Sequence, residues 1–275
     1  MSKKALVVGA AGGVGNEVVK QLLAKGYSVI GTVLNDAEAA HVQKQTPGVE
    51  KVIKLDLSDA DSVVRDLKQQ LTALDYVAVC AAISPYGPLE IAPLSMLRRT
   101  LEINTISGLA VYQAAMPLLR ASKGRIALIS SFAGKVGLPF IGQYVASKHA
   151  LEGMADVMRR EAQAFGVHVA LVEPGGIRTP MVTGQLDGLA RDRAKLSAEE
   201  ESLYGNLFDI FGKVAGGAWE NMLEPSVVAA TVVQALHDAA PQARYQIGDD
   251  SKFLCDVARK TDPEIDAVIK GFWGG

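Results

Sequence analysis

Cysteines, clustered histidines and long apolar runs are all scarce in this sequence. The two cysteines, Cys80 and Cys255, stand far apart and make neither a disulfide framework nor a metal cluster, and the four histidines show no ligand spacing. We therefore expect a reducing, cytoplasmic location and no bound metal. No apolar run approaches the roughly 20 residues of a membrane-spanning helix. The first strand is predicted to begin near Lys4, which leaves no room for a signal peptide.

An excess of charge of either sign is also missing. The formal net charge of −2 at pH 7 gives no global attraction to nucleic acid or to an anionic membrane surface. The chain has 275 residues, 49% of them hydrophobic, which is enough to bury a full core. We find no repeat, no low-complexity segment and no break in composition, so we expect a soluble protein with one domain over residues 1–275.

A short apolar strand at residues 5–8 runs into a glycine-rich turn and then into a predicted helix. The turn contains Gly9, Gly13 and Gly15 in the spacing Gly-x-x-x-Gly-x-Gly. Glycines let backbone N–H groups approach a pyrophosphate at the N-terminus of a helix. In this strand–turn–helix context the motif predicts nucleotide binding, and the alternative is a glycine-rich turn without a ligand.

Apolar strands alternate with helices along most of the chain. After the first strand, further strands are predicted at residues 28–34, 52–55, 76–81, 125–130, 167–172 and, at the edge, 244–248. The alternation predicts an α/β fold with a doubly wound, parallel, seven-stranded sheet, helices on both faces and ligands at the carboxyl ends of the strands. Asp56, at the end of the third strand, is a candidate for an adenine contact, with a turn aspartate as the alternative.

Residues 181–223 differ from the rest of the chain. They mix charged with apolar side chains and are long for a connection, and connections of this length are often lids or binding loops. We interpret the segment as a helical, substrate-binding flap over a site.

Tyr144 and Lys148 stand four residues apart in a stretch predicted to be helical from Gly142 to residue 165. Four residues is about one helical turn, so both side chains leave the same face. A phenol with an ordinary pKa of about 10 is a poor acid–base catalyst near neutral pH, but an ammonium about 4 Å away lowers that pKa by up to about three units. The pair predicts a general acid–base site, and the alternative is an ordinary amphipathic helix with a tyrosine at its start.

Several motifs in one order resemble the short-chain dehydrogenase/reductase family, in its shorter single-domain branch with a Rossmann fold. They are Gly9-x-x-x-Gly13-x-Gly15, Ser131, Tyr144-x-x-x-Lys148 and Pro174-Gly175, and the similarity covers about residues 4–248. Ser131 precedes Tyr144 by thirteen residues, as the family's catalytic serine does, and Asn104 falls where the family places its helix asparagine.

The resemblance implies a role for each candidate catalytic residue. Tyr144 would be the general acid in carbonyl reduction and the base in alcohol oxidation. Lys148 would lower the pKa of Tyr144 and bind the nicotinamide ribose, and Ser131 would hydrogen-bond the substrate oxygen. Asn104 would hold a water that links Lys148 to solvent, and Thr179 would bond the nicotinamide amide.

The resemblance also implies NAD or NADP as the cofactor, held at positions that are spread over the strand ends. These positions are Gly9, Gly12, Gly13, Val14, Gly15, Val33, Asp56, Leu57, Ala81, Tyr144, Lys148, Pro174, Gly175, Ile177 and Thr179.

The end of the second strand bears on the choice between the two cofactors. The acidic residue that would favour NAD is replaced by Val33, and no arginine marks NADP at Leu34 or Gly12. With no carboxylate to repel a phosphate, Thr32 and Asn35 are candidate phosphate acceptors. The sequence therefore leans slightly to NADP.

Two departures from the family pattern concern the cofactor pocket. Val8 replaces the threonine that often precedes the first glycine, so a hydrogen bond that stabilises the loop is expected to be missing. The Asn-Asn-Ala-Gly stretch after the fourth strand is Val79-Cys80-Ala81-Ala82 here, which removes side-chain hydrogen bonds to neighbouring strands.

The length of the flap resembles the branch that acts on retinoids, steroids and other bulky apolar alcohols or ketones. The resemblance thus implies an NAD(P)-dependent alcohol dehydrogenase or carbonyl reductase for a bulky apolar or aromatic secondary alcohol and its ketone. The alternative is a catalytically silent dinucleotide-binding regulator. A sugar-nucleotide epimerase of the longer branch fits the chain length and glycine spacing less well. The family also implies a homotetramer or homodimer, formed through the helices that hold Asn104 and Tyr144.

Overall fold

The computed structural model describes residues 2–273, and at its centre lies a parallel sheet of seven strands. The strands are β1 (Lys4–Val8), β2 (Ser28–Val33), β3 (Lys51–Lys54), β4 (Tyr76–Val79), β5 (Arg125–Ile129), β6 (His168–Pro174) and β7 (Arg244–Ile247). Their order is β3-β2-β1-β4-β5-β6-β7, and every neighbouring pair is parallel. The winding reverses between β1 and β4, so a crevice opens at the carboxyl ends of these two strands.

The strands are apolar because both faces of the sheet are covered. All four residues of β4 are buried, as are the last four of β1. A strand buried on both sides needs apolar side chains at every position, which explains the continuous apolar runs in the sequence.

The helices lie in two layers, one on each face of the sheet. They are α1 (Gly13–Ala24), α2 (Asp36–Gln45), α3 (Ala60–Gln70), α4 (Leu94–Leu101), α5 (Ser107–Ser122), α6 (Gly142–Gln163), α7 (Pro180–Arg193), α8 (Ala198–Ala218), α9 (Pro225–His237), α10 (Asp249–Val257) and α11 (Asp262–Trp273). One core contains side chains of α3, α5 and α6, and the other contains side chains of α1, α2 and α9. The predicted doubly wound α/β fold is confirmed.

Three features differ from the expectations. The sequence does not predict helix α2, because Val42 is its one buried residue and no clear apolar stripe marks it. The sequence predicts a helical tail over residues 251–270, and the structure divides the tail into two helices, α10 and α11. The sequence also predicts one long helix over about residues 95–122, and the structure interrupts it with a π-helical turn at Glu102–Ile106.

Residues 181–223 are helical, as expected for the flap, and form most of α7 and α8. Within residues 2–273, no helix combines the length and apolar character that a membrane crossing requires.

Shortening a side chain in the core that contains α3, α5 and α6 should lower the stability of the protein. Leu67 on α3 is fully buried, so we expect Leu67→Ala to lower the free energy of unfolding by about 2–5 kcal/mol. Leu203 on α8 is 62% exposed, and Leu203→Ala should change that free energy by less than about 0.5 kcal/mol. Urea unfolding followed by circular dichroism measures both, and equal effects of the two substitutions would contradict the described packing.

Candidate active site

Tyr144 and Lys148 lie one turn apart in the first part of α6, on the same side of the helix. Lys148 Nζ is 5.5 Å from the centre of the Tyr144 ring. It donates a hydrogen bond of 2.7 Å to the carbonyl oxygen of Ile129, the last residue of β5. The Lys148 side chain is 1% exposed. The helix therefore places an ammonium group inside the protein, at the carboxyl edge of the sheet.

Ser131 joins this pair from the end of β5. Its backbone is extended, and its Oγ accepts a hydrogen bond of 3.1 Å from the N–H of Ala133, which fixes the side chain. The Ser131 side chain is also close enough to the Tyr144 hydroxyl to lower the pKa of that hydroxyl. The structure thus brings together three of the four predicted catalytic side chains, Ser131, Tyr144 and Lys148.

Burial moves the pKa values of the tyrosine and the lysine in opposite directions. It raises the pKa of Tyr144 to about 12, against the effect of the Ser131 side chain, which lowers it. It lowers the pKa of Lys148 to about 8, against the charge of Glu152, which raises it. The expectation that Lys148 brings the Tyr144 pKa down towards neutrality is not met, because desolvation of the phenol outweighs the effects that lower its pKa. At neutral pH the phenol keeps its proton and Lys148 is mainly an ammonium.

Asn104 lies in the π-helical turn and hydrogen-bonds two separate segments, one at Ile83 and one at Ser147. Its Oδ1 accepts from the N–H of Ile83, and its Nδ2 donates to the carbonyl of Ile83, both at 2.8 Å. Nδ2 also donates to Ser147 Oγ at 2.9 Å, and Ser147 Oγ donates to the carbonyl of Tyr144 at 2.7 Å. Both hydrogens of Nδ2 therefore bond protein atoms. The predicted water would have to bond an atom of Asn104 other than Nδ2.

The glycine-rich turn leads into the N-terminus of α1, and its backbone is open there. Gly12 is the N-cap of α1 and supplies no side-chain cap, so the first N–H groups of the helix have no side-chain partner at the cap. A Cβ on Gly15 would lie 2.1 Å from the carbonyl oxygen of Gly9, so the turn is too tight for any other residue at position 15. Open N–H groups at a helix N-terminus fit a pyrophosphate.

Two further predicted positions lie against this turn. Gly9 has a φ of +81°, and a Cβ on it would be 2.7 Å from Ala81 Cβ, which places the segment after β4 beside the turn. A Cβ on Gly13 would be 3.2 Å from Thr179 Cγ2, so the loop after β6 also reaches the turn. Ala81 and Thr179 thus border the same crevice from different strands.

The end of β2 stabilises the turn in a way the sequence did not reveal. Thr32 is 2% exposed, and its Oγ1 accepts a hydrogen bond of 3.2 Å from the N–H of Gly9. A threonine on the neighbouring strand therefore holds the loop whose usual threonine is Val8 here. Because Thr32 is buried, its hydroxyl is poorly placed to bind a phosphate at the surface, in contrast to the expectation. Asn35 is the N-cap of α2, where its Oδ1 accepts from the N–H of Glu38.

At four predicted cofactor-binding positions, less of the side chain is available to a cofactor than expected. Val14 and Val33 are buried in one core, and Leu57 packs against the other, so their side chains point into the protein. Asp56 Oδ1 accepts hydrogen bonds from the N–H and the hydroxyl of Ser58 at 2.9 and 2.7 Å, as a turn aspartate does. The backbone of these residues is what remains for binding, together with Asp56 Oδ2.

The first part of the loop after β6 is fixed by α10 and by the segment before α9. Pro174 is the last residue of β6 and is buried. A Cβ on Gly175 would be 1.8 Å from Asp250 Oδ1, so the glycine permits close packing against α10. Ile177 forms an isolated parallel bridge with Leu223. These contacts fix the direction in which the loop leaves the sheet.

An aromatic cluster, which sequence reasoning missed, joins α8 to the segment just before α6. Phe140 lies just before α6, and its ring centre is 4.8 Å from the ring centres of both Phe208 and Phe211 on α8. The three rings are buried, with Tyr86 and Trp273 at the margin. Phe140 has a φ of +74°, a backbone conformation that a bulky residue rarely adopts.

Polar contacts tie α7 to the segment that follows β4. Tyr86 Oη donates to Asp192 Oδ2 at 2.6 Å, and Gln185 Nε2 donates to the carbonyl of Ser84 at 2.5 Å. Helices α7 and α8 therefore contact residues 84–86 and Phe140, and Tyr86 and Phe140 also stack on each other.

Comparison with known proteins decides the family. Residues 3–190 match the family model described as short chain dehydrogenase. The chain belongs to the short-chain dehydrogenase family. The NADPH-dependent 3-dehydrocapnine reductase of Ornithobacterium rhinotracheale is 30% identical over 253 residues, which cover 88% of this chain and 87% of that protein. Human 17-beta-hydroxysteroid dehydrogenase type 6 is 28% identical over 262 residues, 92% of this chain and 82% of that protein.

A solved structure supports the same fold. A short chain dehydrogenase from Burkholderia cenocepacia, in complex with NADP, superimposes with a TM-score of 0.75 at 21% identity, covering 98% of this chain and 97% of that one. Family membership confirms the prediction that the cofactor is NAD or NADP, and the slight lean to NADP agrees with the NADPH-dependent relative. Among residues 2–273, no group of three or more His, Cys, Asp or Glu side chains is placed to hold a metal ion.

Gly9 offers a test of the short-chain dehydrogenase crevice. Gly9→Ala puts a Cβ at a φ of +81° and 2.7 Å from Ala81 Cβ, so the turn must shift. We expect the affinity for NADPH to fall at least about tenfold, which corresponds to about 1.4 kcal/mol. The matched control is Gly153→Ala on α6, where an added Cβ meets nothing within 4 Å.

Fluorescence titration of each variant with NADPH measures the affinity. The control should bind like the wild type, because its position is open and helical. An unchanged affinity in Gly9→Ala would remove the glycine turn from the binding site.

Proposed function

We propose that this protein is an NAD(P)-dependent oxidoreductase that interconverts a bulky apolar or aromatic secondary alcohol and its ketone. The observation that carries the proposal is the convergence of Ser131, Tyr144 and Lys148 at the carboxyl end of β5, in the family's motif spacing. The proposal treats residues 1–275 as one domain with a substrate-binding flap at about residues 181–223.

The three side chains have complementary tasks in carbonyl reduction. Tyr144, protonated at neutral pH, donates its Oη proton to the carbonyl oxygen. The Ser131 hydroxyl donates a hydrogen bond to the same oxygen and stabilises the charge that develops there. Lys148 stabilises the phenolate that remains on Tyr144. In alcohol oxidation the same proton moves in the opposite direction.

The crevice around the glycine turn is where the residues fit a nicotinamide dinucleotide. The N–H groups at the start of α1 would hold the pyrophosphate, and Lys148 and Thr179 would lie towards the nicotinamide end. When bound, this cofactor supplies the hydride in reduction and accepts it in oxidation. Asn104 keeps α6 in register with the segment after β4, which borders the crevice.

The relatives support a bulky apolar substrate. The rings of Phe140, Phe208 and Phe211 are buried, so they hold the flap against the segment before α6. A human relative is named as a hydroxysteroid dehydrogenase, which agrees with a large apolar alcohol or ketone. The catalytically silent regulator has no comparable support, since the Ornithobacterium and human relatives are both named as enzymes.

We also propose a cytoplasmic homodimer or homotetramer that is formed through α5 and α6. Ile106, just before α5, and Val157 on α6 are 41% and 50% exposed, and apolar side chains of this kind suit a contact between copies of the chain. Light scattering tests the oligomeric state.

Replacing Tyr144 should reduce turnover strongly and leave the binding of NADPH intact. We expect Tyr144→Phe to lower kcat about 10²–10⁴-fold, because the proton donor is removed while the ring stays. The affinity for NADPH should change little. The control is Tyr112→Phe, since Tyr112 on α5 bonds the carbonyl of Met158 at 3.5 Å and makes none of the contacts described for the catalytic group.

The measurement follows the absorbance of the reduced nicotinamide with a panel of bulky ketones. Wild-type turnover that survives Tyr144→Phe would refute the assigned role. Binding without turnover in the wild type, across the whole panel, would favour the silent regulator.

The end of β2 should govern the choice between NADPH and NADH. With no carboxylate at Val33, NADPH should be the better substrate. Leu34 is 52% exposed, so Leu34→Asp adds a charge at the surface without disturbing a core. Charges about 4 Å apart near a surface repel by about 1–4 kcal/mol, so the ratio of kcat/KM for NADPH over NADH should fall about tenfold or more.

Leu34→Asn is the matched control, because it has the same shape without the charge. Its NADPH to NADH ratio should stay near the wild-type value. A wild-type preference for NADH, or equal ratios in the two variants, would overturn the lean to NADP.

A further inference from the structure

A buried ionic cluster lies one helical turn beyond Lys148. Glu152 on α6 is 5% exposed, and its Oε2 accepts from Lys135 Nζ at 2.5 Å and from Arg244 Nε at 3.0 Å. Glu173 on β6 is fully buried, with its Oε1 3.1 Å from Arg244 Nε and 3.4 Å from Lys135 Nζ. Two carboxylates and two cations from four parts of the fold thus meet beside the catalytic helix.

Gly134 lets Glu152 lie close to the site. A Cβ at this position would be 2.8 Å from Glu152 Cγ, 2.9 Å from Ser130 Oγ and 3.1 Å from the carbonyl oxygen of Lys148. The stem of Glu152 therefore passes beside the backbone of Lys148. Glu152 Oε1 and Ser130 Oγ are buried without a hydrogen-bond partner, which costs free energy in a folded protein. The ion pairs with Lys135 and Arg244 use Oε2, so within residues 2–273 Oε1 is left without a hydrogen-bond partner one helical turn from Lys148.

We infer that Glu152 is a positioning residue for the reaction, because its buried carboxylate keeps Lys148 in the ammonium form that supports proton donation by Tyr144. The inference deepens the proposed function and rests on it. Glu152 acts on Lys148 through charge, and it touches neither substrate nor cofactor in this role.

The electrostatic balance around Lys148 supports this role. Lys148 is 1% exposed, so burial favours its neutral amine, and the charge of Glu152 opposes that effect. The side chains of Lys135 and Arg244 are 25% and 28% exposed, so water screens their charges more than that of Lys148. Glu152 is thus well placed to stabilise the buried ammonium.

Other titratable groups face the cluster from the elements packed around it. Asp156 on α6 is 3.0 Å from Arg244 Nη2. Burial and the charge of Glu152 raise the pKa of Glu173. Cys255 Sγ on α10 lies 4.0 Å from Glu173 Oε2, and burial raises the pKa of this thiol. Glu152 and Asp156 oppose the charges of Lys148, Lys135 and Arg244, so loss of Glu152 increases the positive charge around Lys148.

Replacing Glu152 should therefore alter the pH dependence of the enzyme. The contribution of Lys148 is present below its pKa of about 8 and is lost as the pH rises through that value. Glu152→Gln lowers the Lys148 pKa further, so the alkaline limb of kcat/KM for ketone reduction should move down by about one pH unit. The rate at pH 6 should stay near the wild-type rate, and the rate at pH 8 should fall roughly fivefold.

Three companion variants separate charge from structure. Glu152→Asp keeps the charge, so the alkaline limb of its kcat/KM profile should lie close to that of the wild type. Asp156→Asn removes a carboxylate that pairs with Arg244 at 3.0 Å and is one turn farther from Lys148, so its shift should be less than about a third as large. Lys135→Gln removes a cation that faces Glu152 and should move the limb upward. This last variant tests the inference even if Glu152→Gln fails to fold.

The pKa of Lys148 is also measured without turnover. NMR titration of the protein labelled with ¹³C at lysine Cε follows each lysine, and Lys148→Arg assigns the signal by its loss. A lower Lys148 pKa in Glu152→Gln and a higher one in Lys135→Gln are expected. If Glu152→Gln folds and the pKa stays unchanged, or if kcat falls equally at every pH, Glu152 has no electrostatic role. An inactive wild type whose Lys148 pKa still shifts would refute the proposed function and leave the charge coupling standing.

Discussion

The site depends on an ammonium group that is kept out of water. Removing the charge of Lys148 from solvent is costly, and the fold offsets that cost with the carbonyl of Ile129 and the carboxylate of Glu152. The result reverses the usual order of acidity, since the Lys148 pKa is about 8 and the Tyr144 pKa is about 12. At neutral pH the transferable proton is therefore on the phenol, beside a cation that stabilises the phenolate once the proton has left. Under the proposed function, the buried pair of Tyr144 and Lys148 thus provides both the acid and the cation that stabilises its conjugate base.

Most of the fold was predictable because the sheet is buried on both faces. A strand such as β4, with every residue buried, must be apolar throughout, and its position is visible in the sequence. Helix α2 escaped prediction because it buries little beyond Val42, so selection for an apolar stripe is weak. The π-helical turn around Asn104 gave no periodic signal either, because a single wide turn changes the register without changing the residue types.

The part of the site whose residues are close in sequence, or belong to a motif, was predictable from the sequence. The spacing of Tyr144 and Lys148 dictates that they share a helix face, and this is what the structure shows. The contact between Thr32 and Gly9 joins residues on different strands, and no local pattern announces it. The raised pKa of Tyr144 was beyond sequence reasoning for a related reason, since desolvation depends on everything that packs around the phenol.

Phe140 connects α8 with the start of α6, where Tyr144 lies. A bulky residue in the left-handed region costs about 1–3 kcal/mol, so its surroundings must compensate. The contacts with Phe208 and Phe211 provide that compensation, since aromatic pairs of this kind add to the gain from burial. Phe140 is four residues before Tyr144, and the N–H of Gly87 bonds its carbonyl at 2.7 Å. A change in the packing of α8 must therefore act on the backbone that sets the start of α6. Under the proposed function, this contact would link the fit of a substrate to the position of the Tyr144 phenol.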